Sequence, residues 1–115
     1  MAFKASHRYA RISPQKVRPL ADLVRGKFAD EALDILRYQP QRGARMLEKV
    51  IRSAIGSAQD PDQNPGRTVE VEGLIVAEAF IDGGPMFKRI RPRARGMAFM
   101  IKKRMSHIHV TLEEI

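Results

Sequence analysis

The stretch Gly83-Gly-Pro-Met-Phe-Lys-Arg-Ile-Arg-Pro-Arg-Ala-Arg-Gly-Met-Ala-Phe-Met-Ile-Lys-Lys-Arg104 carries Lys88, Arg89, Arg91, Arg93, Arg95, Lys102, Lys103 and Arg104 and no acid, and the acid-free region continues to Leu112. Its charge of +8 equals the net charge of the whole 115-residue chain, because the other 13 Lys and Arg are matched by 13 Asp and Glu. Arg91, Arg93 and Arg95 alternate with Pro92 and Ala94. In an extended strand these guanidiniums lie along one side, about 6.6 Å apart by the strand rise. That spacing is close to the separation of successive phosphates in a nucleic-acid strand. A guanidinium fork can pair phosphate oxygens and also stack on bases.

Alternating sequence flanks this stretch on both sides. Across Thr68–Asp82, one parity carries Val69, Val71, Gly73, Ile75, Ala77, Ala79 and Ile81, and the other carries Glu70, Glu72 and Glu78. Near the C-terminus Ser106, Ile108, Val110 and Leu112 face one way, His107, His109 and Thr111 the other. Both segments read as strands with one buried face. The basic stretch between them is then the far end of an antiparallel hairpin, protruding over residues 83–104. Gly83-Gly84-Pro85 and Gly96 permit a bend or bulge. Arms of about ten residues reach on the order of 30 Å. A ribbon of two strands has no core for Met86, Phe87 and Ile90, so a partner is expected to order it.

The first part of the chain reads as one strand and three helices. Phe3–Ile12 alternates, with Phe3, Ala5, His7 and Tyr9 on one side and Lys4, Ser6, Arg8 and Ala10 on the other. Ser13-Pro14 starts a helix with a capping residue and a proline at its first position. Val17, Leu20, Ala21 and Val24 form its buried stripe and Gly26 ends it. Pro19 predicts a kink within it. Phe28–Tyr38 is a short second helix with Ala32, Ile35 and Leu36 inward and Asp30 and Glu31 at its positive end. The third runs from about Gln41 to Gln59 on a stripe of Ala44, Leu47, Ile51, Ala54 and Ala58. Arg42, Arg45, Lys49 and Arg52 form a second stripe, which reads equally as a solvated face or as an RNA contact. Residues 60–66 read as an acidic loop. The expected fold is α+β: one domain spanning 1–115, three helices packed on a small three-stranded antiparallel sheet, and a long protruding β-hairpin.

Charge also divides the chain. Met1–Lys27 has a net charge of +6 and Phe28–Asp82 a net charge of −4. The first strand, the first helix and the hairpin therefore make the positive surface, and a polyanion is the expected partner. The chain has no cysteine, which removes disulfides, thiolate metal sites and cysteine nucleophiles and suits the cytoplasm. Neither a membrane span nor a secretory or transit signal is read in it. His107 and His109 share a strand face without the further ligands a metal needs. No phosphate-cradling glycine loop or nucleophile motif is present. No enzyme, metal or cofactor is expected. A small DNA-binding module is the second reading, since the first two helices join through Arg25-Gly26-Lys27. Asp30, Glu31 and Asp34 on the second helix oppose it, because a groove-reading helix is basic.

Five stretches carry a resemblance across nearly the whole chain: Arg11-Ile-Ser-Pro-Gln-Lys-Val-Arg18, Asp22-Leu-Val-Arg-Gly-Lys27, Glu31-Ala-Leu-Asp-Ile-Leu-Arg-Tyr38, Asp82-Gly-Gly-Pro-Met-Phe-Lys-Arg-Ile-Arg-Pro-Arg-Ala-Arg-Gly96 and Lys103-Arg-Met-Ser-His-Ile108. In this order they resemble the bacterial type of large ribosomal subunit protein number twenty-two. The resemblance implies a domain on the outer surface of the large subunit, beside neighbouring ribosomal proteins, which binds ribosomal RNA early in assembly. It implies a hairpin threading through RNA to line the tunnel taken by the nascent polypeptide, with its tip near the site of macrolide antibiotics. No membrane and no homo-oligomer are implied. By position, Phe87, Lys88, Arg89, Ile90 and Arg91 would face the tunnel. Arg93, Arg95, Lys102, Lys103, Arg104, Ser106 and His107 would contact RNA along the hairpin, together with Lys88, Arg89 and Arg91. Lys4, Arg8, Arg11, Ser13, Lys16, Arg18, Arg25 and Lys27 would hold the globular end to RNA. The chain departs from the family's pattern at Pro19, at Met105 and in the apolar run Met97–Ile101.

Overall fold

The structure is a computed structural model that describes residues 2–60, 70–92 and 94–114. The loop expected from residue 61 onward, the expected strand residues Thr68 and Val69, and Arg93 lie outside the described residues. The elements run β1 (Ala2–Ala10), α1 (Pro14–Val24), α2 (Ala29–Arg37), α3 (Arg42–Gln59), β2 (Leu74–Pro92) and β3 (Ala98–Glu114), with 3-10 turns at Val71–Gly73 and Ala94–Gly96. The sheet order is β1-β3-β2, antiparallel throughout. The α+β class, the three helices and the long hairpin are all as the sequence predicts.

The helices cover one face of the sheet. Val17, Leu20 and Val24 of α1, Leu36 of α2, and Leu47 and Ile51 of α3 meet Leu74 and Val76 of β2 and Ile108, Val110 and Leu112 of β3 in one core. The periodic positions read from the sequence are the buried ones on α1 and α3; on α2, Ile35 is half-buried and Ala29 is buried instead. Ser13 stands at the N-cap of α1 without a side-chain capping bond, and Pro14 follows it. Pro19 lies on the exposed side of α1, which is assigned as one helix from Pro14 to Val24. Its missing donor leaves the Gln15 carbonyl free to turn to water.

The inward parity expected for β3 holds at Ser106, Ile108, Val110 and Leu112, whereas those expected for β1 and β2 each fail at a bulge. The β1–β3 register shifts between His7 and Ala10, and Tyr9 adopts φ 60. Tyr9 therefore turns outward, 60% exposed, and Ala10 and Ile12 enter the core in its place. In β2 the register shifts between Val76 and Glu78. Leu74 and Val76 are buried before the shift and Ala79 and Ile81 after it, while Ile75 and Ala77 are only half-buried. A strict period of two cannot see an inserted residue, which exchanges the two faces of everything beyond it.

A third shift, between Gly83 and Met86, marks where the hairpin leaves the body. A Cβ on Gly84 would lie 3.2 Å from the Met105 carbonyl oxygen and 3.3 Å from His107 Nε2. Beyond this point β2 and β3 pair only with each other, out to Pro92 and Ala98. The ribbon gives the chain a longest dimension of 67 Å and a radius of gyration of 17.5 Å, against about 13 Å for a compact chain of this length.

Candidate nucleic-acid interface

β1 ends at Ala10, opposite Ser106, so β3 runs on toward the tip with one edge unpaired. A groove of about 950 Å³ lies along that edge. Its wall includes the five consecutive residues from Ile101 to Met105. The body closes the other side through Arg11, Ile12, Ser13, Gln15 and Lys16 at the start of α1, and Arg42 at the start of α3. Phe87 and Arg89 reach it from β2. Seven of the thirteen lining residues are Lys or Arg and none is acidic. Concave, low-dielectric walls of one charge sign concentrate a field that attracts a polyanion. Ser13 offers the groove a hydroxyl that caps no helix.

The expected RNA contacts separate into groups. Arg11, Ser13, Lys16, Arg89 and Lys102–Arg104 converge on the groove. Lys88 and Arg91 are exposed on the ribbon, and Arg95 is exposed at its tip with φ 66. Lys4 and Arg8 are exposed on β1, and Lys27 is exposed after α1. Arg18 and Arg25 have another task as well. Arg18 donates through Nε (3.3 Å) and Nη2 (3.2 Å) to the Ile81 carbonyl. Arg25 donates through Nε and Nη2 to the Ala79 carbonyl and through Nη1 to Asp22 at 2.8 Å. Gly26, at φ 83, brings the backbone alongside the same edge: its amide donates to Val76 O, and Val76 N donates to Lys27 O. The outer edge of β2 is thus covered by two guanidinium forks and a turn. An uncovered edge would invite pairing with another chain.

Two expected contacts are engaged internally. Ser106 is fully buried and its hydroxyl donates to the Ile12 carbonyl at 2.6 Å, so this side chain has no surface to offer RNA. Alternation placed it on the core face; only the fold shows that the hydroxyl ties β3 to the β1–α1 connection. His107 is half-buried and its Nδ1 accepts from the Tyr9 amide at 3.1 Å. Nearby, His109 Nδ1 lies 2.9 Å from Ser6 Oγ, His109 Nε2 lies 3.4 Å from Asp82 Oδ2, and the ring stacks on Phe80 at 4.8 Å. Ser, His and Asp meet here on the open face of the sheet. None of the three lines the groove, and the cluster joins β1, β3 and β2 like any cross-strand contact.

The basic stripe of α3 also divides. Arg42 lines the groove and was legible in the sequence only as one member of that stripe. Arg45 donates to the carbonyls of Leu36, Arg37 and Gln39, each at 2.9 Å, and pairs with Glu48, which is 7% exposed. It therefore satisfies the open C-terminal end of α2. Arg52 lies 3.6 Å from the same carboxylate. Lys49 is exposed.

A small α+β domain with an acid-free, cationic groove at the root of a long basic ribbon has the charge and shape that attract a polyanion. The sequence profile of the family described as ribosomal protein L22p/L17e matches residues 5–113, and the chain belongs to that family. It is 72% identical over 113 residues to the large ribosomal subunit protein uL22 of Rhodopirellula baltica, covering 98% of this chain and 95% of that one. It is 52% identical over 110 residues to the uL22 of Caldicellulosiruptor saccharolyticus, covering 96% and 86% of the two chains. It is 50% identical over 114 residues to the uL22 of Desulfotalea psychrophila, covering 99% of each. No helix among the described residues is long and apolar enough to cross a membrane.

Proposed function

We propose that this protein is a structural, non-enzymatic constituent of the large ribosomal subunit in the bacterial cytoplasm, and that it binds large-subunit RNA through the groove and the ribbon. The acid-free groove between body and ribbon carries this reading. Its seven cations come from the β1–α1 connection, α1, α3, β2 and β3, so only the folded chain assembles them. RNA bound there would be held at the ribbon's root, and the ribbon would extend into the particle alongside it. Neighbouring ribosomal proteins share the particle. Early binding would order both the RNA and the ribbon, assisting assembly. Family membership extends the reading to the ribbon's course: it lines the exit tunnel, meets the nascent polypeptide, and brings its tip near the macrolide site.

The family supports RNA over duplex DNA, and so does the charge of α2. Asp30, Glu31 and Asp34 are all exposed, so α2 would repel a DNA groove. Binding of the protein to large-subunit RNA and to duplex DNA across a salt series tests the reading. If all seven groove cations neutralise phosphates, the log–log slope for RNA is about −5 to −6. Tighter binding to DNA overturns the proposal.

A further inference from the structure

The two faces of the ribbon are chemically different. The register sets Phe87 beside Lys103, Arg89 beside Ile101, and Arg91 beside Phe99. Side chains alternate along a strand, so these three pairs share one face. The Arg89 guanidinium lies 5.4 Å from the centre of the Phe87 ring, as residues two apart on one face can. The opposite face carries the pairs Lys88–Lys102, Ile90–Met100 and Pro92–Ala98. Beyond Lys88 and Lys102 this second face has no charged side chain up to Pro92 and Ala98. Ile90 is 75% exposed there and Met100 59%.

We infer that RNA covers the Arg89–Arg91 face of the ribbon and leaves the Ile90–Met100 face uncovered in the assembled particle. The inference rests on the RNA-binding reading above. Charge complementarity selects the occupant of the first face. Two guanidiniums, one ammonium and the rings of Phe87 and Phe99 share that face, groups that pair phosphates and stack bases. On the second face a phosphate would lose water against methyl and thioether groups with no cation in return. Continuity supports the same assignment. Of the β2 residues, Phe87 and Arg89 line the groove, whereas Met86, Lys88 and Ile90 do not. On β3, which borders the groove, Lys102 and Arg104 of the opposite face line it beside Ile101 and Lys103, and on β2 the groove continues through Phe87 and Arg89 toward Arg91.

The chain has no cysteine, so single introduced thiols report one position each. Ile90→Cys and Arg91→Cys sit at the same depth on opposite faces. Each variant is incorporated into large ribosomal subunits, treated with a small maleimide, and read by the mass of this chain. Ile90→Cys is expected to label in the subunit nearly as fast as in the free protein. Arg91→Cys should be protected roughly tenfold or more, as a site that must open to react. Phe99→Cys and Met100→Cys repeat the comparison from β3, with Phe99→Cys the protected one. Equal labelling, inverted labelling, or protection of all four overturns the inference while leaving RNA binding intact. An unaltered chain that fails to enter large subunits overturns the RNA-binding reading itself, and the inference with it.

Discussion

The Tyr9 amide donates to His107 Nδ1 at 3.1 Å, and the two rings meet edge to face with their centroids 5.0 Å apart. Tyr9 is the φ 60 residue at the bulge, so this bond holds the chain where β1 is about to leave β3. An amide donor requires Nδ1 to be the bare nitrogen, which puts the ring proton of a neutral imidazole on Nε2. His107→Asn keeps an acceptor oxygen near the position of Nδ1 and should retain most of the stability. His107→Leu leaves the amide unpaired and should cost about 1–2 kcal/mol. Urea unfolding of the two variants, with hydrogen exchange at the Tyr9 amide, checks this. A leucine variant as stable as the parent would show that the bulge holds itself.

Arg45 joins α2 to α3 through three carbonyls and a nearly buried carboxylate. Arg45→Met keeps much of the side-chain volume and removes every one of those bonds. The carbonyls of Arg37 and Gln39 lose the guanidinium, Leu36 O keeps the Gln39 amide, and Glu48 keeps Arg52. The expected loss is on the order of 3 kcal/mol, or roughly 10–20 °C in melting temperature for a domain of this size. Calorimetry measures it directly. An unchanged melting temperature would mean that water replaces the guanidinium without loss.

Gly84 sets how the ribbon leaves the body. A Cβ there presses on Met105 O and His107 Nε2, at distances where the neighbours must give by a few tenths of an ångström. Gly84→Ala should then be tolerated with a small loss. Gly84→Val adds branches against a backbone carbonyl, and strain of about 1–3 kcal/mol is expected from such overpacking. Small-angle scattering of the valine variant should show a changed longest dimension, because the bulge swings the ribbon. Scattering identical to that of the parent would show that the bend does not depend on this contact.

Arg42 and Lys49 are both exposed on α3, but only Arg42 lines the groove. Arg42→Gln should weaken binding to large-subunit RNA and reduce the magnitude of the salt slope by about 1. Lys49→Gln should change neither. Comparison of the two across a salt series separates a groove from diffuse attraction by a basic helix. Equal effects would place the contact on the whole helix face.

The sequence by itself determined where the charge lies and which segments are helices. Periodicity is local, so Val17, Leu20 and Val24, or Ala44, Leu47 and Ile51, declare their buried side without knowledge of the partner. The hairpin was equally legible, because alternation on both sides of an acid-free stretch leaves few other ways to fold it. The tertiary structure alone decided which face of β1 and β2 is inward beyond each bulge, since one inserted residue reverses the parity without altering the pattern on either side. It alone divided the arginines. Arg11, Arg42, Arg89 and Arg104 line one groove, whereas Arg18 and Arg25 cover a strand edge and Arg45 closes a helix end. A guanidinium takes whatever acceptor the fold brings within reach. For Arg18 that acceptor is 63 residues away in sequence, and a sequence pattern does not carry such distances.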